Sequence, residues 1–276
     1  MTGAAFDEGK PVVLCDLDGV VWLSHLPIPG SVDAIATLRA AGHRVLFVTN
    51  NSSARVEAQE AALASIGIPA TGDVLTSANA AALLISPGEK VMVCGGEGVS
   101  QAVLGRNAIV VDEHATGTEA AVDAVIVGFH RSFDYDAMMR ASTAARNGAR
   151  LIGTNDDATY PTPDGPIPGG GAILASIVTA AGVAPIIAGK PYEPMAALVR
   201  ATVGEVAAKN AVMVGDRPST DGLMAAALGC HYAHVESGIT PPGSSVEPPP
   251  ALVAADLAEV AKVLVAGGFP GSKVQP

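Results

Sequence analysis

At 276 residues the chain can bury one large core or two modest ones. Its 16 Lys and Arg against 27 Asp and Glu leave a formal charge of −11 with no basic run, which excludes a nucleic-acid surface and requires any anion site to be built locally, by a metal or a well-placed Lys. Cys15, Cys94 and Cys230 are far apart, without CxxC spacing, so neither a disulfide framework nor a zinc knuckle is supported, and a reduced, cytoplasmic setting fits.

The first ten residues, MTGAAFDEGK, are acidic and lack an apolar core, which excludes a secretory signal. The next stretch, PVVLCDLDGVVW, organises the rest. Val12, Val13, Leu14 and Cys15 read as a buried strand of a parallel sheet. Asp16 and Asp18 stand where it ends, and alternation along extended backbone turns both carboxylates toward one pocket, with Gly19 free to turn tightly after them. Two acids so close disfavour each other's ionisation unless a hard cation such as Mg²⁺ lies between them. Taken alone, an Asp that caps a helix beside a chance neighbour explains DxDG equally well.

After Trp22, which reads as packing against the core, LSHLPIPG is a loop, and His25 within it reads as exposed. A helix capped by Ser31 runs to Ala41 and is closed by Gly42. The strand 45–48 ends at Thr49, Asn50 and Asn51, and an Ala-rich helix over 54–66 stops at Gly67. This opening is that of a doubly wound α/β domain.

A second α/β body follows: helix 78–85, strand KVMVCGG, helix 99–104, strand NAIVV, strand DAVIVGF, helix 135–147 and strand ARLIGTN. A Pro/Gly-rich loop, ATYPTPDGPIPGGG, then leads into helix 172–181, which is too short to span a bilayer. The first body resumes with Gly189 and Lys190, a helix from Pro194, strand NAVMVGD ending at Asp216, helix TDGLMAAALG, last strand CHYAHV, an irregular surface segment SGITPPGSSVEPPP and a terminal helix. The reading is a Rossmann-like core over 1–77 and 187–276 with an inserted α/β body over 78–186.

Some motifs carry weaker chemistry. Gly96 and Gly98 lack the third glycine and trailing acid of a dinucleotide fingerprint, so a tight turn is the better reading. Gly169 to Gly171 could offer N–H groups to an anion, but a turn is simpler. His231 and His234, three apart on a strand, face opposite sides and form no zinc pair. No GxSxG, HExxH or Walker A sequence occurs.

Four polar signals stand at strand ends of the core: Asp16 with Asp18, Thr49 with Asn50, Lys190, and Asp216 with Asp221. In open parallel sheets ligands sit beyond the carboxyl ends of the strands, so all can serve one crevice. DLDGVVW, FVTNNSS, AGKP and VGDRPSTD, in that order, resemble the four motifs of the haloacid dehalogenase superfamily, in the subgroup with a large α/β cap of C2 type that includes 4-nitrophenyl phosphatases, pyridoxal phosphatase, phosphoglycolate phosphatase and the NagD proteins. VGFHRSFDY and GTNDDATYPTPDG resemble its cap.

The resemblance implies a phosphatase acting on a small phosphorylated metabolite, with Asp16 as nucleophile and Asp18 as general acid and base. It implies Mg²⁺ held by Asp16, Asp216 and the Asp18 carbonyl and supported by Asp221, with Thr49, Asn50 and Lys190 on the phosphoryl oxygens. Tyr160 in the cap loop is expected to set specificity, while Asn155 and Asp156 either contact substrate or fix the loop. Many relatives carry Asp where this chain has His130, which reads here as a solvent-exposed loop residue. Cap-mediated homodimers occur among such proteins, and no membrane partner is implied. A phosphotransferase using the same site, or a non-catalytic binder of a phosphorylated metabolite, is the alternative.

Overall fold

The computed structural model describes residue 7 and residues 9–23, 25–115, 121–160, 162 and 165–269. The reading of the first ten residues falls mostly outside them, as do Ser24, Pro161, Pro163 and Asp164 of the predicted loops. The chain forms two compact units, one of Met1–Thr49, Glu60–Leu75 and Val199–Pro276, the other of Asn50–Gln59 and Thr76–Leu198.

The first unit is built on a six-stranded sheet in the order Leu252–Ala254, His231–Val235, Val212–Gly215, Val13–Cys15, Val45–Thr49, Val74–Thr76. Val13–Cys15 lies at its heart, parallel to both neighbours, with Cys15 opposite Val214 on one side and Phe47 on the other. Every residue of these three adjacent strands is buried, as expected where helices cover both faces of a parallel sheet. His231–Val235 is therefore not the last strand: Leu252–Ala254 pairs with it in parallel. That strand follows a run of prolines and has only three residues, too few for periodicity to reveal.

Two local expectations change. Gly30, at φ 83°, stands at the N-cap of helix Ser31–Ala40, and the Ser31 hydroxyl donates instead to the Val21 carbonyl at 2.8 Å, tying the helix to the loop after the first strand. The segment after Asp216 begins with one wide π-helical turn, Pro218–Gly222, before helix Leu223–Leu228.

The second unit holds a five-stranded, wholly parallel sheet in the order Ile186–Ile187, Arg150–Gly153, Ala124–Val127, Lys90–Cys94, Ile109–Asp112. Alternate residues Met92, Cys94, Val125, Val127 and Leu151 form one apolar face, against which Ala137, Ala141, Ala144 and Ala145 of helix Tyr135–Arg146 and Ile173, Leu174 and Ile177 of helix Gly170–Ala181 pack. The Pro/Gly-rich loop carries a short antiparallel ribbon, Thr159–Tyr160 with Ile167–Pro168. The fold class is the expected one, a Rossmann-like parallel sheet with an inserted α/β unit. Among the described residues no helix is long and apolar enough to cross a membrane.

Candidate active site

Asp16 follows the central strand directly, and Asp216 follows the strand beside it. The carboxylates of Asp16, Asp216 and Asp221 lie within 4.8 Å of one another, although two hundred residues separate the first from the second. The π-helical turn brings Asp221 back to the strand end: its backbone N–H donates to the Arg217 carbonyl at 2.8 Å, and its Oδ2 accepts from the Arg217 N–H at 3.1 Å. Asp221 is fully buried and Asp216 nearly so, while Asp16 is half-buried.

Beyond Asp16 the chain leaves extended geometry at once. The N–H groups of Val20, Val21 and Trp22 all point to the Leu17 carbonyl, and Gly19, at φ 88°, closes the turn. Strand alternation therefore does not govern Asp18, which sits half-buried in this turn and is not one of the three grouped carboxylates. Trp22 is buried as expected, and its indole N–H has no acceptor among the described residues. His25 is exposed, with its ring tilted against Trp22.

Three glycines make room for the acids. A Cβ on Gly19 would lie 2.6 Å from the Asp216 carboxylate, one on Gly238 2.0 Å from Asp216 Oδ2, and one on Gly215 2.2 Å from Asp221 Oδ2. The segment 237–240, read from sequence only as surface loop, is in fact a clamp. The Ile239 N–H donates to Asp216 Oδ2 at 2.8 Å, the Thr240 hydroxyl to the Asp216 carbonyl at 2.6 Å, and the Ser237 hydroxyl to the Gly19 carbonyl at 2.7 Å. Its place after the carboxyl end of strand His231–Val235 was the available signal.

Tyr232 and His234 point the same way from that strand, and the Tyr232 hydroxyl lies 2.9 Å from His234 Nδ1. Burial, then the charges of Asp221, Asp216 and Asp16, push the Tyr232 hydroxyl well above its ordinary pKa, while burial lowers that of His234. His231 faces away and meets Phe269 edge-on, so the two histidines form no pair.

Thr49 is the buried last residue of its strand. In the second unit Asn50 and Lys190 are locked together: the Lys190 N–H donates to Asn50 Oδ1 at 2.8 Å, and Asn50 Nδ2 donates to the Lys190 carbonyl at 3.1 Å and to Asp157 Oδ2 at 3.0 Å. Gly189 allows this, since a Cβ there would meet Asn50 Oδ1 at 2.5 Å. Lys190 is 2% exposed, so its long side chain is held inside the protein.

Asn155 Nδ2 donates to the Asn50 carbonyl at 2.7 Å. Asp156 accepts from the Tyr192 hydroxyl at 2.5 Å, which pushes that phenol up to about 12. Tyr160 is half-buried and stacks on Phe129, centroids 5.1 Å apart.

The glycine-rich turns serve close backbone approach. Cβ atoms on Gly96 and Gly98 would each come within 2.3 Å of a carbonyl oxygen, of Ser53 and Ala54 respectively. The Gly169 and Gly171 N–H groups donate to the Ala158 and Asp157 carbonyls, both at 2.9 Å, and so hold the 155–158 loop and leave those donors occupied.

Three clustered carboxylates, two of them buried, suit a hard divalent cation, which takes oxygen ligands and offsets their repulsion. Residues 13–107 match the haloacid dehalogenase-like hydrolase family and residues 187–260 a HAD-hydrolase-like family. The chain belongs to the haloacid dehalogenase-like hydrolases, among their phosphoric monoester hydrolases. It is 34% identical over 257 residues to an acid sugar phosphatase of Staphylococcus saprophyticus, covering 91% of this chain and 96% of that one. A p-nitrophenyl phosphatase from Archaeoglobus fulgidus superposes with a TM-score of 0.82 at 27% identity, covering 92% of this chain and 99% of that one. The glycerol phosphate phosphatase of Mycobacterium tuberculosis in complex with magnesium does so with a TM-score of 0.81 at 32% identity, covering 96% and 80%.

Proposed function

We propose that the protein hydrolyses a small phosphomonoester by way of an aspartyl-phosphate on Asp16, with Mg²⁺ as its metal. The observation that carries this reading is the gathering of Asp16, Asp216 and Asp221 at the ends of two adjacent parallel strands. An Asp16 oxygen attacks phosphorus, and the bond from phosphorus to the leaving oxygen breaks as Asp18 gives that oxygen a proton. Asp18 then takes a proton from water, which attacks the same phosphorus and releases phosphate and free Asp16.

Asp16, Asp216 and the Asp18 carbonyl would hold Mg²⁺, with Asp221 beside them; when bound, it supplies positive charge against the repulsion between carboxylate and phosphoryl oxygens. The Thr49 hydroxyl, the Asn50 amide and the Lys190 ammonium take the equatorial phosphoryl oxygens, where a loose transition state carries its charge. The Asn50 side chain holds the Lys190 backbone, and with Asp157 these bonds occupy both Asn50 Nδ2 hydrogens, so the Asn50 amide that would meet phosphate is its backbone N–H. Residues 78–186 act as the substrate-selecting body, and three cysteines without disulfide or zinc-knuckle spacing accord with a cytoplasmic setting.

EDTA is expected to abolish hydrolysis of 4-nitrophenyl phosphate, and added Mg²⁺ to restore it; activity indifferent to chelator would remove the metal from the reading. In Tyr160→Ala the ring stacked on Phe129 is lost. The ratio of kcat/KM between metabolite phosphates should shift by roughly tenfold, the worth of one well-packed apolar contact, while 4-nitrophenyl phosphate turnover changes less. An unchanged profile across a phosphometabolite panel would count against specificity at this position.

A further inference from the structure

A second group of ligating side chains lies within the inserted unit, and the reaction above makes no use of it. Cys94 ends strand Lys90–Cys94, Glu113 follows strand Ile109–Asp112 directly, and His130 stands three residues past strand Ala124–Val127. The three strands are neighbours and parallel, with Lys90–Cys94 in the middle, so their carboxyl ends deliver one sulfur, one carboxylate and one imidazole to the same place. The Cys94 thiol, the Glu113 carboxylate and a His130 ring nitrogen all lie within 4.8 Å of one another. His130 is thereby not the exposed loop residue expected from sequence: its side chain is 6% exposed and that of Glu113 7%.

From this geometry we infer that Cys94, Glu113 and His130 form a Zn²⁺ site in the inserted unit, separate from the Asp16 group. The donor set is that of zinc, a borderline cation which takes sulfur, nitrogen and oxygen together, in contrast to the all-oxygen set that suits Mg²⁺. Such a site normally holds its imidazole through the other ring nitrogen, and His130 Nδ1 lies 3.0 Å from the Gly128 carbonyl, which can only accept. This fixes Nδ1 as the donor and turns Nε2 toward Glu113, 2.9 Å from Oε1. Arg140 Nε donates to the Glu113 carbonyl at 2.8 Å and holds that backbone in place.

Three ligands leave one tetrahedral position. Water can take it; His114, half-exposed and with Nε2 3.7 Å from Glu113 Oε1, stands beside Glu113 but outside the group of three. Burial and the neighbouring Glu113 push the Cys94 thiol well above its usual pKa, so the metal-free group keeps its sulfur protonated. Binding replaces the Cys94 S–H proton, and any proton on His130 Nε2, by bonds to zinc, and these protons leave to solvent.

The test uses the whole protein, stripped with chelator under reducing conditions and titrated with Co²⁺ as a spectroscopic stand-in for Zn²⁺. One equivalent should produce a thiolate-to-cobalt charge-transfer absorption that Zn²⁺ then displaces. The absorption should vanish in Cys94→Ser, and His130→Gln and Glu113→Gln should each weaken binding at least about 100-fold, more than the loss of a supporting contact costs. It should persist in Cys15→Ser, which removes the thiol next to Asp16, and in Asp16→Asn, which loses turnover, so the two sites fail separately. Circular dichroism confirms that each variant is folded. Absence of the absorption in the parent protein, or its survival in folded Cys94→Ser or undiminished in folded His130→Gln, overturns the assignment.

Discussion

Asp16→Asn is expected to lower kcat for 4-nitrophenyl phosphate by at least ~10³-fold, because it removes the proposed nucleophile, and an enzyme stripped of its covalent nucleophile keeps only binding and electrostatic contributions. The same substitution should leave the fold intact. The Asp16 carboxylate shares a 4.8 Å neighbourhood with those of Asp216 and Asp221, so in EDTA its removal relieves like-charge repulsion. Thermal unfolding in chelator should therefore occur at the same temperature or higher, although added Mg²⁺ should stabilise the variant less than the parent. Substantial residual hydrolysis, or a lowered melting temperature in EDTA, would refute the place given to Asp16.

Gly238→Ala should raise the metal requirement, although the residue has no side chain of its own. The added methyl would stand 2.0 Å from Asp216 Oδ2 and 2.4 Å from its Cβ, so that carboxylate or the 237–240 clamp must move. Either movement breaks the Ile239 N–H bond to Asp216 Oδ2 and spoils a metal position set to a fraction of an ångström. The expected outcome is a 10- to 100-fold rise, to order of magnitude, in the Mg²⁺ concentration for half-maximal activity, with recovery toward parental kcat at saturating metal. Gly268→Ala is the control, since the nearest atom to its added carbon would be the Val263 carbonyl oxygen at 3.7 Å. A parental Mg²⁺ requirement in Gly238→Ala would show that Asp216 is not seated as described.

Much of the site was legible because strand ends are written locally. Continuous apolar runs such as Val45–Val48 and Val212–Val214 mark strands buried on both faces, and the polar residues that break them mark where the sheet meets solvent or ligand. The acids, Thr49, Asn50 and Lys190 were singled out as candidates in this way. The clamp over 237–240 was missed because it reaches Asp216 through one backbone N–H and one hydroxyl, and Gly19 through another hydroxyl, in a segment without periodicity.

By itself, then, the sequence determined the parallel α/β class and the family resemblance, and it singled out the candidate carboxylates, since each follows from local pattern and ordered motifs. Only the tertiary structure decided that Gly238 makes room for Asp216, and that Cys94, Glu113 and a buried His130 meet in the inserted unit. The reason is lateral: which strands lie side by side depends on sheet order and crossover connections, and residues brought together across neighbouring strands leave no shared spacing in the chain.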